Sequence, residues 1–118
     1  MLHLFVYGSL QPGQENAHYL EKIKGQWQAA HMFGHLFKDG WGDYPDYPGL
    51  IIDPTAERIE GYLLSSDDLA DHWAELDAFE GPEYKRTLTD VTTDTGDTVQ
   101  AYLYAIRNPE EALTLLQD

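Results

Sequence analysis

Apolar and polar positions alternate from Leu2 to Tyr7, with aromatic and β-branched side chains among them, and the pattern predicts a strand. Gly8, Ser9, Pro12 and Gly13 break it into a loop. Asn16 is placed to cap a short helix carrying Ala17, Leu20 and Ile23, closed by Gly25. Trp27 to Phe37 reads as one or two strands. Lys38 to Gly49, KDGWGDYPDYPG, reads as a long loop, and long loops in small domains are often functional. Gly40, Gly42 and Gly49 suit hinges, and Trp41, Tyr44 and Tyr47 suit a lid. A static aromatic loop packed on the sheet fits the same residues, and the pattern leaves both open. Leu50 to Asp53 and Ile59 to Leu64 look like strands around a turn at Pro54. Tyr84 to Thr93 and Thr98 to Ile106 predict a hairpin around Asp94-Thr95-Gly96-Asp97. Asn108-Pro109-Glu110-Glu111 marks the start of a short last helix, with a cap, a Pro at the first position and a Glu at the third.

The segment from Ser65 to Phe79 reads as an amphipathic helix. Ser65, Ser66 and Asp67 are cap-type residues, and Leu69, Trp73 and Leu76 recur at i, i+4 and i+7. The next position of that stripe, at i+11, is Glu80, followed by the stop signal Gly81-Pro82. A carboxyl aimed inward at a helix C-terminus is disfavoured as an anion by desolvation and by the negative end of the dipole. Both effects raise its pKa toward the range where it can accept and return a proton. If the helix frays one turn early, Glu80 is instead an ordinary solvated residue.

Strands dominate, with two or three short helices and no repeat or linker. The expectation is an α+β fold, a small mixed or antiparallel barrel-like sheet, in one domain over residues 1–118. Hydrophobic residues make up 42% of the 118, enough for one core. The chain has no cysteine, which excludes disulfides, thiolate zinc sites and a cysteine nucleophile, and fits a reducing cytoplasmic setting. No apolar run reaches the roughly 18 residues of a membrane span. The start, MLHLFVYGSL, lacks the basic region of a signal peptide. The net charge of -14, from 21 acidic and 7 basic residues, argues against a nucleic-acid partner. It weakly favours a neutral or cationic group on a small substrate.

Two constellations carry candidate chemistry. Tyr7-Gly8-Ser9-Leu10 is a strand running into a loop whose backbone N–H groups suit a small anion or carbonyl oxygen, unless it is a plain strand-end turn. Tyr84 and Arg86, two apart on a strand, share a face near Glu80 and suit orientation of a substrate or of the carboxyl itself. Glu83 reads as a surface residue. His3, His18, His31, His35 and His72 show no metal-ligand spacing, so no metal is expected. No dinucleotide fingerprint, phosphate loop or nucleophile elbow is present.

FVYGSL at Phe5 to Leu10, Tyr47-Pro48-Gly49-Leu50, Glu60-Gly61-Tyr62-Leu63, and LDAFEG at Leu76 to Gly81 followed by Tyr84 and Arg86 together resemble the gamma-glutamylcyclotransferase-like family. The order and spacing match over nearly the whole chain. The resemblance implies a small β-barrel flanked by helices and an enzyme of lyase or acyltransferase type needing no cofactor. Its partner is then a small gamma-glutamyl substrate, cleaved to 5-oxoproline and a free amine. The resemblance also implies that Glu80 is the general acid/base, that Tyr7, Gly8, Ser9 and Leu10 hold the glutamyl end, and that Tyr84 and Arg86 bind substrate. Two other readings stand beside it: a non-catalytic small-molecule binding module, and a different amide transfer or cleavage at the same pocket. The leaving amine and the oligomeric state stay open.

Overall fold

The computed structural model describes residues 1–8, 10–37, 49–82 and 84–107. Alternation at the N-terminus gives β1 (Leu2–Val6), followed by the single-turn α1 (His18–Glu21). Trp27 to Phe37 lies in one long strand, β2 (Gln26–Phe37). Then come β3 (Gly49–Ile52), β4 (Glu57–Ser66), a 3₁₀ turn (Leu69–His72), α2 (Trp73–Glu80), β5 (Tyr84–Thr93) and β6 (Thr98–Ile106). Among the described residues no helix is long and apolar enough to cross a membrane.

The strand order is β3-β2-β4-β1-β6-β5, and β5 pairs back onto β2 through Ala30↔Thr93 and His31↔Thr92. That closing pair makes a barrel of β2-β4-β1-β6-β5, with β3 on the outer edge of β2. The β1–β6 pairing is parallel and the others are antiparallel. Closure covers part of the β2 and β5 edges that would otherwise invite strand pairing with another chain.

Alternation along the strands divides the core in two. Phe5, Met32, Ile59, Leu63, Val91 and Leu103 fill the barrel. Leu4, Val6, Leu64, Leu69, Leu76 and Tyr104 meet Leu10, Leu20 and Ile23 between the barrel and the helices. β1 and the end of β4 are therefore buried on both faces. Gly61 sits where β4 passes closest to β1, and a Cβ there would overlap the Val6 carbonyl oxygen. That close approach sets the backbone from which Tyr7 departs.

The hairpin expected at 84–106 has the bounds read from the pattern, and its turn uses Gly96 at φ 90°. Two local expectations differ. The segment from Ser65 is not helical at its start: Ser65 and Ser66 belong to β4, paired Gln26↔Ser65 and Leu2↔Ser66. The strand ladder outcompetes capping there. Ser66 Oγ still accepts from the Asp68 N–H at 3.0 Å, and helix begins as the 3₁₀ turn. In α1 the cap position is Ala17, not Asn16, and only four residues are helical. Gly49, expected to end the long loop, opens β3. Ser9, Glu83, the rest of that loop (38–48) and the helix expected at Asn108 lie outside the described residues.

Candidate active site

The stripe Leu69, Trp73, Leu76 anchors α2: both leucines are fully buried and Trp73 is half-buried. The helix runs to Glu80 and stops at Gly81, whose φ of 89° puts the backbone where glycine is favoured. The Gly81 N–H donates to Asp77 O at 3.0 Å and the chain swings away toward β5. Glu80 is thus held at the end of an anchored helix with its side chain partly buried. Desolvation pushes its carboxyl up to a pKa of about 7.

One turn earlier, Asp77 is in a different state. Its carboxylate accepts the Tyr104 hydroxyl at 2.7 Å and Arg86 Nη1 at 3.2 Å on both oxygens. The Arg86 guanidinium lies 4.4 Å over the Trp73 ring and 5.7 Å from that of Tyr102. Asp77 therefore has its charge compensated, while the neighbouring Glu80 is desolvated. Two carboxyls one turn apart thus sit in contrasting surroundings, one hydrogen-bonded to a cation and a phenol, the other desolvated.

Two tyrosines, Tyr7 and Tyr104, lie close enough to the Glu80 carboxyl to feel its charge. The Tyr7 hydroxyl donates to the Tyr104 carbonyl at 2.5 Å. Burial holds the Tyr7 phenol well above its ordinary pKa, and the charges of Glu80 and Tyr84 push it further. Tyr104 is raised too, by burial first and then by its hydrogen bond to Asp77. Both phenols stay protonated and act as fixed donors.

Tyr7 therefore lies near both Glu80 and Tyr84. The Gly8 carbonyl accepts from the Gln11 N–H and from Gln11 Nε2, each at 3.1 Å, which tightens the loop after β1. Leu10 points its side chain into the core between barrel and helices, so any contact with a ligand falls to its backbone. Arg86 is turned to Asp77 and Trp73, not to Glu80. Beside α2 lies a cleft of about 300 Å³, bounded by Asp77, Ala78, Gly81, Pro82, Tyr84, Arg86, Tyr104 and Arg107, with Glu80 next to it in the chain but not on its wall.

Asp77, Tyr104 and Arg107 were not singled out by sequence reasoning. A signal existed for two of them: Asp77 is three residues before Glu80 on the helix, and Tyr104 is the register partner of Arg86. Among the described residues no cluster of three or more His, Asp or Glu could hold a metal ion. A larger hollow, about 370 Å³, lies outside the barrel between β2, β4 and the β5–β6 turn, with His31, Arg58, Glu60 and Asp94 on its rim.

The chain matches the sequence model of the family described as gamma-glutamyl cyclotransferase, AIG2-like, over residues 4–118. It is 32% identical over 120 residues to the gamma-glutamylcyclotransferase family protein ytfP of Citrobacter rodentium, covering 98% of this chain and 91% of that one. It is 33% identical over 90 residues to the gamma-L-glutamyl-butirosin B gamma-glutamyl cyclotransferase of Niallia circulans. That match covers 76% of this chain and 54% of the relative. The crystal structure of YkqA from Bacillus subtilis superposes with a TM-score of 0.68 at 29% identity over 90% of this chain, which spans 36% of YkqA.

Proposed function

Because the chain belongs to the gamma-glutamyl cyclotransferase, AIG2-like family, we propose that it converts gamma-glutamyl compounds into 5-oxoproline and a free amine, with Glu80 as general acid/base. The observation that carries this reading is the Glu80 carboxyl itself, partly buried at a helix end beside Tyr7, with a pKa of about 7. The Niallia circulans relative, named for a gamma-L-glutamyl substrate, supports that class of compound.

The substrate's own α-amine attacks its γ-carbonyl carbon, so a C–N bond forms within one molecule and closes a five-membered lactam. The enzyme's main task is to fold the substrate into the reactive conformer. Only the neutral amine attacks. Glu80 as carboxylate takes the amine proton, and the tetrahedral intermediate carries the negative charge on the former carbonyl oxygen. That intermediate breaks the original amide C–N bond, and Glu80 returns the proton to the departing nitrogen. A pKa near 7 suits both directions of transfer. Backbone N–H groups of the Gly8, Ser9 and Leu10 loop are the proposed donors, either to the oxyanion or to the substrate's α-carboxylate. Tyr84 and Arg86, which line the cleft beside α2, are proposed as further substrate contacts. Tyr7, its hydroxyl committed to the Tyr104 carbonyl, shapes the pocket around Glu80 and the glutamyl end.

The test is release of 5-oxoproline from a panel of gamma-glutamyl amines and dipeptides, with wild type beside Glu80→Gln. Turnover by the wild type and its loss in a folded E80Q supports the reading. Equal turnover in both removes Glu80 from the mechanism. Binding of 5-oxoproline with no turnover of any substrate makes the protein a binding module.

A further inference from the structure

The β5–β6 ladder ends at the pair Tyr84↔Ile106. One residue further along, Arg107 continues the contact with its side chain. Its Nε–H donates to the Pro82 carbonyl at 2.8 Å and its Nη2–H donates to the Tyr84 carbonyl at 3.2 Å. The two bonds bracket the connector that carries the chain from Glu80 into β5.

Gly81 is a swivel at φ 89°, Pro82 has no N–H to give, and the Tyr84 N–H to Gly81 O bond is long at 3.3 Å. The earlier part of α2 is secured separately. Asp77 is held by Arg86 and Tyr104, and the Phe79 ring packs on Tyr19 with centroids 4.4 Å apart. Glu80 lies between that secured part and the connector. A planar guanidinium, with donors fixed in a fork, can span two carbonyls in one geometry, which a lysine ammonium cannot.

We propose that Arg107 is a positioning residue for Glu80: by bridging the carbonyls of Pro82 and Tyr84 it locks the connector and so fixes where the Glu80 carboxyl points. The inference rests on the reading of Glu80 as the proton carrier. Arg107 is exposed, so without it the two carbonyls turn to water at small cost to the fold. What is lost is alignment. The groups that act on Glu80 are Tyr7, just past β1, and Tyr104 from β6, with Tyr84 from β5 beside Tyr7 and Asp77 with its partner Arg86 alongside. Arg107 reaches the chain on the far side of Glu80 from Asp77, at the Pro82 and Tyr84 carbonyls. A Glu80 freed on its C-terminal side swings toward solvent and titrates closer to an ordinary carboxyl.

The experiment uses the full chain as wild type, Arg107→Ala and Arg107→Lys. The Glu80 carboxyl is titrated by carbon-13 NMR, and kcat and KM are measured for 5-oxoproline release. In R107A, kcat falls roughly tenfold with KM nearly unchanged, the pattern of lost alignment in the transition state. The Glu80 midpoint drops from about 7 toward the ordinary carboxylate range, while the melting temperature stays close to wild type. R107K, able to hold one carbonyl, recovers part of both. A Glu80 midpoint and kcat in R107A equal to wild type overturn the proposal. So does joint loss of melting temperature and activity in R107A that R107K does not relieve. If the wild type turns over no gamma-glutamyl compound, the cyclotransferase reading fails and the titration alone decides: an unmoved midpoint in R107A overturns the clamp, and a lowered one supports it.

Discussion

On the outer wall of the barrel, Arg58 Nε and Glu60 pair at 3.1 Å beside the larger hollow, with both side chains mostly in water. Beside the end of α2 the cleft is smaller, and its charged groups are organised differently. Asp77 carries the ion pair, and Glu80, close by, is desolvated. Water screens the first region, so its charges cost little to hold. In the second, the fold withdraws water from a carboxyl and raises its proton affinity. The difference that matters for chemistry is therefore desolvation of one titratable group. Neither volume nor the number of charges would have chosen the α2 cleft over the β2–β4 hollow.

The largest expected contrast is kinetic. Glu80→Gln loses roughly 10²–10⁴-fold in 5-oxoproline release, the usual contribution of a positioned acid/base. Glu60→Gln, at the rim of the larger hollow, turns over like wild type. If E60Q lost as much as E80Q, the chemistry would have to be moved to the β2–β4 side.

The second contrast is in stability, and its sign follows from linkage. Glu80 binds its proton more tightly folded than unfolded, since its pKa rises from 4.5 to about 7. Below about pH 4.5 both states are protonated and the group costs nothing. As pH rises through 4.5 to 7 the unfolded chain releases the proton first, so stability falls and the full cost is present above 7. A raised pKa of this size corresponds to up to about 3 kcal/mol. E80Q is therefore more stable than wild type at pH 8 by up to about 3 kcal/mol and equal to it at pH 4. Denaturant titrations of wild type and E80Q at the two pH values check this. A stability gain in E80Q that is the same at both pH values would trace to packing, and the desolvated carboxyl would lose its support.

Much of this contrast was legible in the sequence. The 3.6-residue stripe of Leu69, Trp73 and Leu76 aimed Glu80 inward, and Gly81-Pro82 fixed where the helix stops, because both signals are local. The hairpin from Tyr84 to Ile106 was legible for the same reason, with alternation on each side of an Asp-Thr-Gly-Asp turn. The start of the 65–79 segment was not. Ser65 and Ser66 look like caps locally, but long-range pairing with Leu2 and Gln26 keeps them in β4. The role of Arg86 also depended on tertiary placement. Its spacing from Tyr84 put it on the right face, but only the packing of α2 brings Asp77 and Trp73 within reach. Arg107 gave no signal at all, since its partners are backbone carbonyls, which a sequence does not display.

A third contrast concerns the hydrogen bonds that hold Asp77. Tyr104→Phe removes the 2.7 Å bond to a charged acceptor but keeps the carbonyl that holds Tyr7. The expected loss is about 1.5 kcal/mol, typical of a bond to a charged group, read as a lower denaturation midpoint at unchanged slope. Thr87→Val, which removes an exposed hydroxyl bonded to Lys85 O at 3.0 Å, costs much less. Equal losses would mean that the α2 side is as water-screened as the open surface.

The smallest effect is expected at Arg58. Its pair with Glu60 is exposed, and such pairs contribute roughly 0–1 kcal/mol because water screens them and ordering two long side chains costs entropy. Removing a cation from a chain of net charge -14 also adds to self-repulsion, so Arg58→Ala still loses a little stability at low salt. Both contributions are screened as the Debye length shrinks to about 3 Å at 1 M salt. The loss in R58A should therefore vanish there. Arg86→Ala should keep most of its loss at 1 M salt, because the Arg86 side chain is only 28% exposed and its stacking on Trp73 does not depend on screening alone. Denaturant melts of the two variants at low and high salt give four numbers. An R58A loss that persisted in salt, or an R86A loss that disappeared, would put the two regions in the same electrostatic class and dissolve the contrast that singles out the end of α2.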